Sequence, residues 1–196
     1  FIGEGVSDAS TDNATNNVGV GYQSLSALTE GDNNIALGYQ SSDAITTGSA
    51  NVAIGTSSLG ANTTAHNNVA VGTSVLQSLN TSSQNTALGS SAMSSITNAS
   101  GLANCVAVGY QAFQGSPSTT TGANGTVAIG MNALTALTTG ASNVAVGQYT
   151  LDACTTGTQN TAVGESALSG TDDGASNVAI GNSAMGRGNA GGSNTA

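Results

Sequence analysis

The side chains able to do chemistry are few, and their spacing decides what they can do. His66 is the one histidine and has no second histidine or cysteine at ligand spacing, so it is not expected to bind a metal. It cannot serve as base to a serine in a recognisable triad frame either. A glycan-cleaving site needs two acids flanking a groove. The only adjacent acids, Asp172 and Asp173, fall in a turn, where solvated carboxylates favouring that turn are the plainer reading. Cys105 and Cys154 lie two repeats apart at different points of the repeat, beyond the ~7 Å that a disulfide spans between Cα atoms, so both are expected to be unbridged, with Cys105 a small buried hydrophobe. Tyr22, Tyr39 and Tyr110 each follow a glycine directly. Stacked on an exposed corner, such rings suit either sugar binding or simple packing. N-x-Ser/Thr sequons at Asn13, Asn62, Asn80, Asn98 and Asn124 fall in turn regions and are candidate glycosylation sites. No enzyme activity, metal or cofactor is expected, and the calcium pattern of glycine-rich nonapeptides is absent.

The elements that position these residues come from a repeat. The block Asn-Val-Ala-Val-Gly or a near variant recurs, ending at Gly21, Gly38, Gly55, Gly72, Gly89, Gly109, Gly130, Gly147, Gly164 and Gly181. The steps are 17 residues, apart from 20 and 21 in the middle. Inside each block a β-branched residue or leucine alternates with alanine, as in Val52-Ala53-Ile54, which is the period of a short strand with one apolar and one small face. The glycine supplies a positive φ at a corner. A second short segment follows, with an apolar residue four positions on, such as Leu25, Leu59, Leu76, Met93 and Phe113. A Thr/Gly/Ser/Asn turn then returns the chain to the next block.

Two short strands and two turns per 17 residues predict one coil of a parallel β-solenoid, an all-β fold of about eleven coils running through residues 1–196 as one domain. At ~4.8 Å per coil the rod would be on the order of 50 Å long. The leading asparagines, Asn17, Asn34, Asn51, Asn68, Asn85, Asn143, Asn160 and Asn177, would lie above one another as a hydrogen-bonded ladder, broken at Cys105 and Thr126. Longer coils at 90–130, around residues 94–104 and 114–125, contain Pro117 and would bulge from one flank, where a receptor contact or an inert insertion are both open. The chain starts and stops inside the motif, which suggests a window of a longer fibre or a subunit whose ends continue into neighbours.

Composition sets the limits. A net charge of -9, with Arg187 the sole basic residue, leaves nothing to neutralise phosphates, so nucleic acid is excluded as a partner. The same acidity, and the lack of any apolar run near ~20 residues, argue against membrane contact.

The Asn-x-Ala-x-Gly block with its leucine and Thr-Gly turn resembles the head repeats of YadA-type trimeric autotransporter adhesins. Blocks such as Asn34-Ile35-Ala36-Leu37-Gly38-Tyr39-Gln40 and Val106-Ala107-Val108-Gly109-Tyr110-Gln111 also resemble repeats of phage tail fibres. The resemblance covers essentially the whole chain, although the 17-residue step is longer than the usual head repeat. It implies a left-handed roll, a homotrimer of rolls side by side about a threefold axis, and an extracellular location on a bacterial surface or virion fibre. An alanine-lined face would suit close approach of sister chains. The function expected is that of a structural fibre or adhesin contacting a surface glycan or protein receptor. The alternative is a self-assembling structural filament, a spacer or head-to-tail polymer, in which Ala196 abuts Phe1 of the next chain.

Overall fold

A computed structural model describes residues 2–7, 13–97, 102–115, 122–170, 174–186 and 191–196. Among them stand ten three-residue strands: β1 (Val18–Val20), β2 (Ile35–Leu37), β3 (Val52–Ile54), β4 (Val69–Val71), β5 (Thr86–Leu88), β6 (Val106–Val108), β7 (Val127–Ile129), β8 (Val144–Val146), β9 (Thr161–Val163) and β10 (Val178–Ile180). They form one parallel sheet in chain order. Each strand pairs with the equivalent residues one coil on, as Ala36 with Ala53 and Ala53 with Ala70. The chain is therefore an all-β solenoid with nine strand-to-strand turns. That is fewer than the eleven coils expected, because the degenerate end copies contribute only bridges, Ile2 to Val20 and Thr195 to Val178. Thr86, Val106 and Val127 keep register across the 20- and 21-residue steps, so the extra residues lie outside the strands. No helix among the described residues is long and apolar enough to cross a membrane.

Two features differ from the sequence reading. Among the described residues each coil has one strand, not two. The segment after the glycine is a pair of tight turns, closed in the first coil by Ser24 N–H to Gly21 O and Leu28 N–H to Leu25 O. Its second and fourth residues take positive φ, such as Gln23 (51°) and Leu25 (55°), and this recurs along the rod as at Ser57 and Leu59. A left-handed leucine costs about 1–2 kcal/mol, which its complete burial offsets. The apolar spacing of four and then seven after the glycine is thus the spacing of two turns that drop leucines into the lumen.

The second difference concerns the strand faces. The alanines point inward and are fully buried, among them Ala36, Ala53, Ala70, Ala87 and Ala107. The larger flanking residues point outward. The expected packing of alanine faces between sister chains is therefore ruled out: the alanines already line the interior. The buried leucines share that lumen with them.

The core runs along the rod in one long cluster from Ala53 to Ala179 and a small one of Leu25, Leu28, Ala36 and Ile45. They part where buried Ser42 takes the place that Leu25 and Leu59 hold in the flanking coils. The corner glycines have φ between +118° and +143°. A Cβ on Gly38 would sit 2.5 Å from the carbonyl oxygen of Gly55, so both conformation and contact demand glycine.

Gly38→Ala should lower folding stability by about 2 kcal/mol or more. Gly60→Ala, where the nearest atom stands at 3.5 Å and φ is not positive, should be close to neutral. Urea denaturation followed by circular dichroism separates the two, and equal losses would contradict the steric argument.

Candidate functional site

The chain's polar chemistry is spent largely on joining coils. Asn34 donates both its backbone N–H (2.8 Å) and its Nδ2 (3.1 Å) to Asn17 Oδ1. The same Nδ2 reaches the turn carbonyl of Gly48 at 2.9 Å. Asn51, Asn68 and Asn85 repeat the arrangement, as do Asn160 and Asn177 on Asn143 and Asn160. Asn194, not included in the expected ladder, adds a further rung on Asn177 at 3.0 Å. The ladder asparagines from Asn34 to Asn177 are almost wholly buried.

At the two substituted rungs the amides stop. Cys105 N–H still donates to Asn85 Oδ1 at 3.2 Å, and its Sγ approaches Ala123 O at 3.3 Å. Burial pushes the Cys105 thiol up to about 11, partly offset by the backbone N–H groups of Thr126 and Gly125. Thr126 Oγ1 is buried with no hydrogen-bond partner. Both cysteines are buried and unbridged.

A second ladder escaped the sequence reading. Two residues before Asn17, Asn34, Asn51 and Asn68, a backbone N–H donates to the side chain one coil on: Thr15 to Asp32 Oδ1 (2.7 Å), Asp32 to Ser49 Oγ, Ser49 to His66 Nδ1, and His66 to Ser83 Oγ, the last three at 2.9 Å. The column is interrupted at Ala103, which has no side-chain acceptor, and resumes with Ala103 N–H to Asn124 Oδ1. The signal was a column of unlike residues sharing one property, an acceptor close to the backbone. His66 is thereby occupied through Nδ1. The Thr15 backbone N–H, with the Thr15 hydroxyl, holds the Asp32 carboxyl below its ordinary value.

Apolar side chains are exposed along the outward sheet face. This face presents the first and third residues of every strand, apolar throughout except for Thr86 and Thr161. Beside it runs the corner that follows the glycines. Tyr22 and Tyr39 stack there with ring centroids 5.3 Å apart and planes 12° from parallel, and Gln40 Nε2 donates to Gln23 Oε1 at 2.9 Å. Tyr39 and Tyr110 are half-exposed, at 50% and 51%. Tyr149 lies one residue further along its own coil than these three.

Of the sequons, Asn13, Asn80 and Asn124 are exposed. Asn62 is fully buried and caps Ala65 N–H, so a glycan there is incompatible with the fold. Asn98, Pro117, the Asp172–Asp173 pair and Arg187 lie outside the described residues. No group of three metal-ligating side chains comes together among the described residues.

No protein-family model, curated protein or solved structure matches the chain.

Two substitutions probe this polar economy. Asn68→Ala removes the rung to Asn51 and the bond to Ser82 O, and leaves Asn85 N–H without its acceptor. It should cost about 2–4 kcal/mol in a urea titration, and a loss under about 0.5 kcal/mol would contradict the ladder's role. Asp152 is the opposite case. Desolvation raises its pKa, and its Oδ1 is buried without a partner. A raised carboxyl favours the folded state below the ordinary aspartate range and loses that contribution as pH rises through the folded value. Equivalent residues Ser26, Thr135 and Ser169 instead donate to the carbonyl one coil on. Asp152→Ser should therefore raise the urea midpoint at pH 7, with the gain shrinking toward pH 3. A gain independent of pH would show that desolvation is not its source.

Proposed function

We propose that the chain is a non-enzymatic structural fibre segment, displayed outside the cell on a bacterial surface or a virion, that packs side by side with copies of itself and contacts surface ligands along the finished rod. The observation that carries this reading is the outward sheet face. Ten strands at ~4.8 Å and three residues of ~3.3 Å make an apolar strip on the order of 45 Å by 10 Å. A face of ~450 Å² in plan, with more accessible area than that, is at or above what a soluble monomer usually leaves open. Its residues do not belong to the interior, which alanines and leucines already fill. Burying the strip against two sister chains explains why valine, isoleucine and leucine occupy a face that water would otherwise wet. The number three comes from the resemblance to YadA-type head repeats, and the strip supports lateral packing.

The absence of catalysis is part of the proposal. Its support is that His66 and Asp32 are committed to inter-coil hydrogen bonds, and that most inward hydroxyls and amides serve the same end. The ligand-contacting surface would be the tyrosine corner and the exposed turns, with a glycan or a protein as the partner and glycans of the chain's own at Asn13, Asn80 or Asn124 as a further possibility to test by intact mass.

One observation favours a second reading. Successive coils bond to one another through the same main-chain and side-chain groups, so coils of different chains could stack by the same bonds. In that version the protein is a structural filament growing end to end without a ligand.

Light scattering of the native protein tests the first reading: a trimer is expected, and Ile54→Lys with Ile129→Lys, which place charges on two exposed strip residues, should reduce it to folded monomers. A wild-type monomer at micromolar concentration would overturn side-by-side packing. Length distributions that grow with time in the absence of cells or glycans would instead select the filament.

A further inference from the structure

The amide ladder divides the rod. One unbroken run extends from Asn17 to Asn85 and another from Asn143 to Asn194. Between them the coils beginning at Cys105 and Thr126 keep their strands, and β5 to β8 remain paired. What they lack, among the described residues, is the amide-to-amide bond of the ladder; the Cys105 N–H still donates to Asn85 Oδ1 and the Ala103 N–H to Asn124 Oδ1. At Cys105 a thiol stands in for a carboxamide, with sulfur at 3.3 Å and 3.5 Å from two carbonyl oxygens in place of amide hydrogens. At Thr126 the hydroxyl is enclosed and makes no bond at all. A buried polar atom without a partner carries its full desolvation cost.

The core offers bulk in return. Phe113 occupies the leucine position of its coil, and Leu102 and Ala123 are buried nearby. Apolar contact resists exposure to water, yet it is non-directional and does not fix one coil's register on the next, whereas an amide accepting and donating across the step does both.

We propose that the Cys105 and Thr126 coils form a yield joint between two amide-laddered half-rods, the place where the solenoid opens first under heat, denaturant or pull. In a fibre, such a joint sets where strain is released while both halves stay folded. The inference stands on the ladder and not on the identity of any ligand or on the number of chains, so it survives if the fibre reading fails.

The protein carries its own probes. Cys105 sits in the joint and Cys154 in the second laddered half, and both are buried in the closed rod. Native full-length protein would be treated with a neutral maleimide, and each site's rate read by peptide mass mapping and divided by the rate of the same site in the urea-unfolded chain. Cys105 should react about 10-fold or more faster than Cys154, the ratio expected for local opening that skips one or two hydrogen bonds. Thr126→Asn, which supplies the missing carboxamide, should slow Cys105 by about 10-fold and leave Cys154 unchanged. If that variant does not fold by circular dichroism, hydrogen exchange of the unaltered chain decides: Val106–Val108 and Val127–Ile129 should lose protection before Val52–Ile54 and Thr161–Val163. The joint is overturned if Cys154 reacts as fast as Cys105, if folded Thr126→Asn leaves the Cys105 rate unaltered, or if exchange is uniform along the sheet.

Discussion

An asparagine inside a ladder run gives its side-chain oxygen to the coil that follows and its amide hydrogens to the coil before it and to a turn carbonyl. With Asn51, for example, Oδ1 accepts from Asn68 N–H at 3.0 Å while Nδ2 reaches Asn34 Oδ1 and Ala65 O. That set of bonds exists only if every coil repeats the one before it at the same rise and register. A one-residue slip would place the asparagine in the strand and turn the alanines out of the lumen. The positive-φ glycines obey the same rule, since their backbone packs against the glycine one coil on. So do the left-handed leucines, whose strain is offset only when they stack in the shared interior.

Because polar groups are satisfied by translation along the rod, little polar chemistry is left to act across it. Among the described residues that is how the buried asparagines and buried serines such as Ser41 and Ser58 are committed to inter-coil bonds. Alanines and leucines fill the interior of the coil, and the larger apolar residues of each strand face outward, which is the basis of the lateral packing proposed above. The outward apolar strip and the tyrosine corner are thus the features on which the proposed association and ligand contacts rest.

Much of this was legible in the residues. The 17-residue step, the corner glycines and the stacked asparagines follow from spacing, and the parallel in-register sheet realises them. Period-two alternation in Val52-Ala53-Ile54 gives a strand but not which side is inside, because that depends on how much of the lumen the leucines fill. The run from Tyr22 to Leu28 reads as a second strand by its apolar residues. Positive φ at Gln23 and Leu25 makes it two turns, and nothing in the identity of a leucine announces a left-handed backbone. The ladder from Thr15 through Asp32, Ser49, His66 and Ser83 was hidden because its members share an acceptor, not a residue type.

The most direct measurement of the central claim is cryo-electron microscopy of the native assembly at a resolution that separates individual coils. The account predicts parallel rods in lateral contact with the Val/Ile/Leu face of each sheet turned toward its neighbours and the turns outward. Rods whose sheet faces lie against solvent, whether single or joined through their turns, would contradict it.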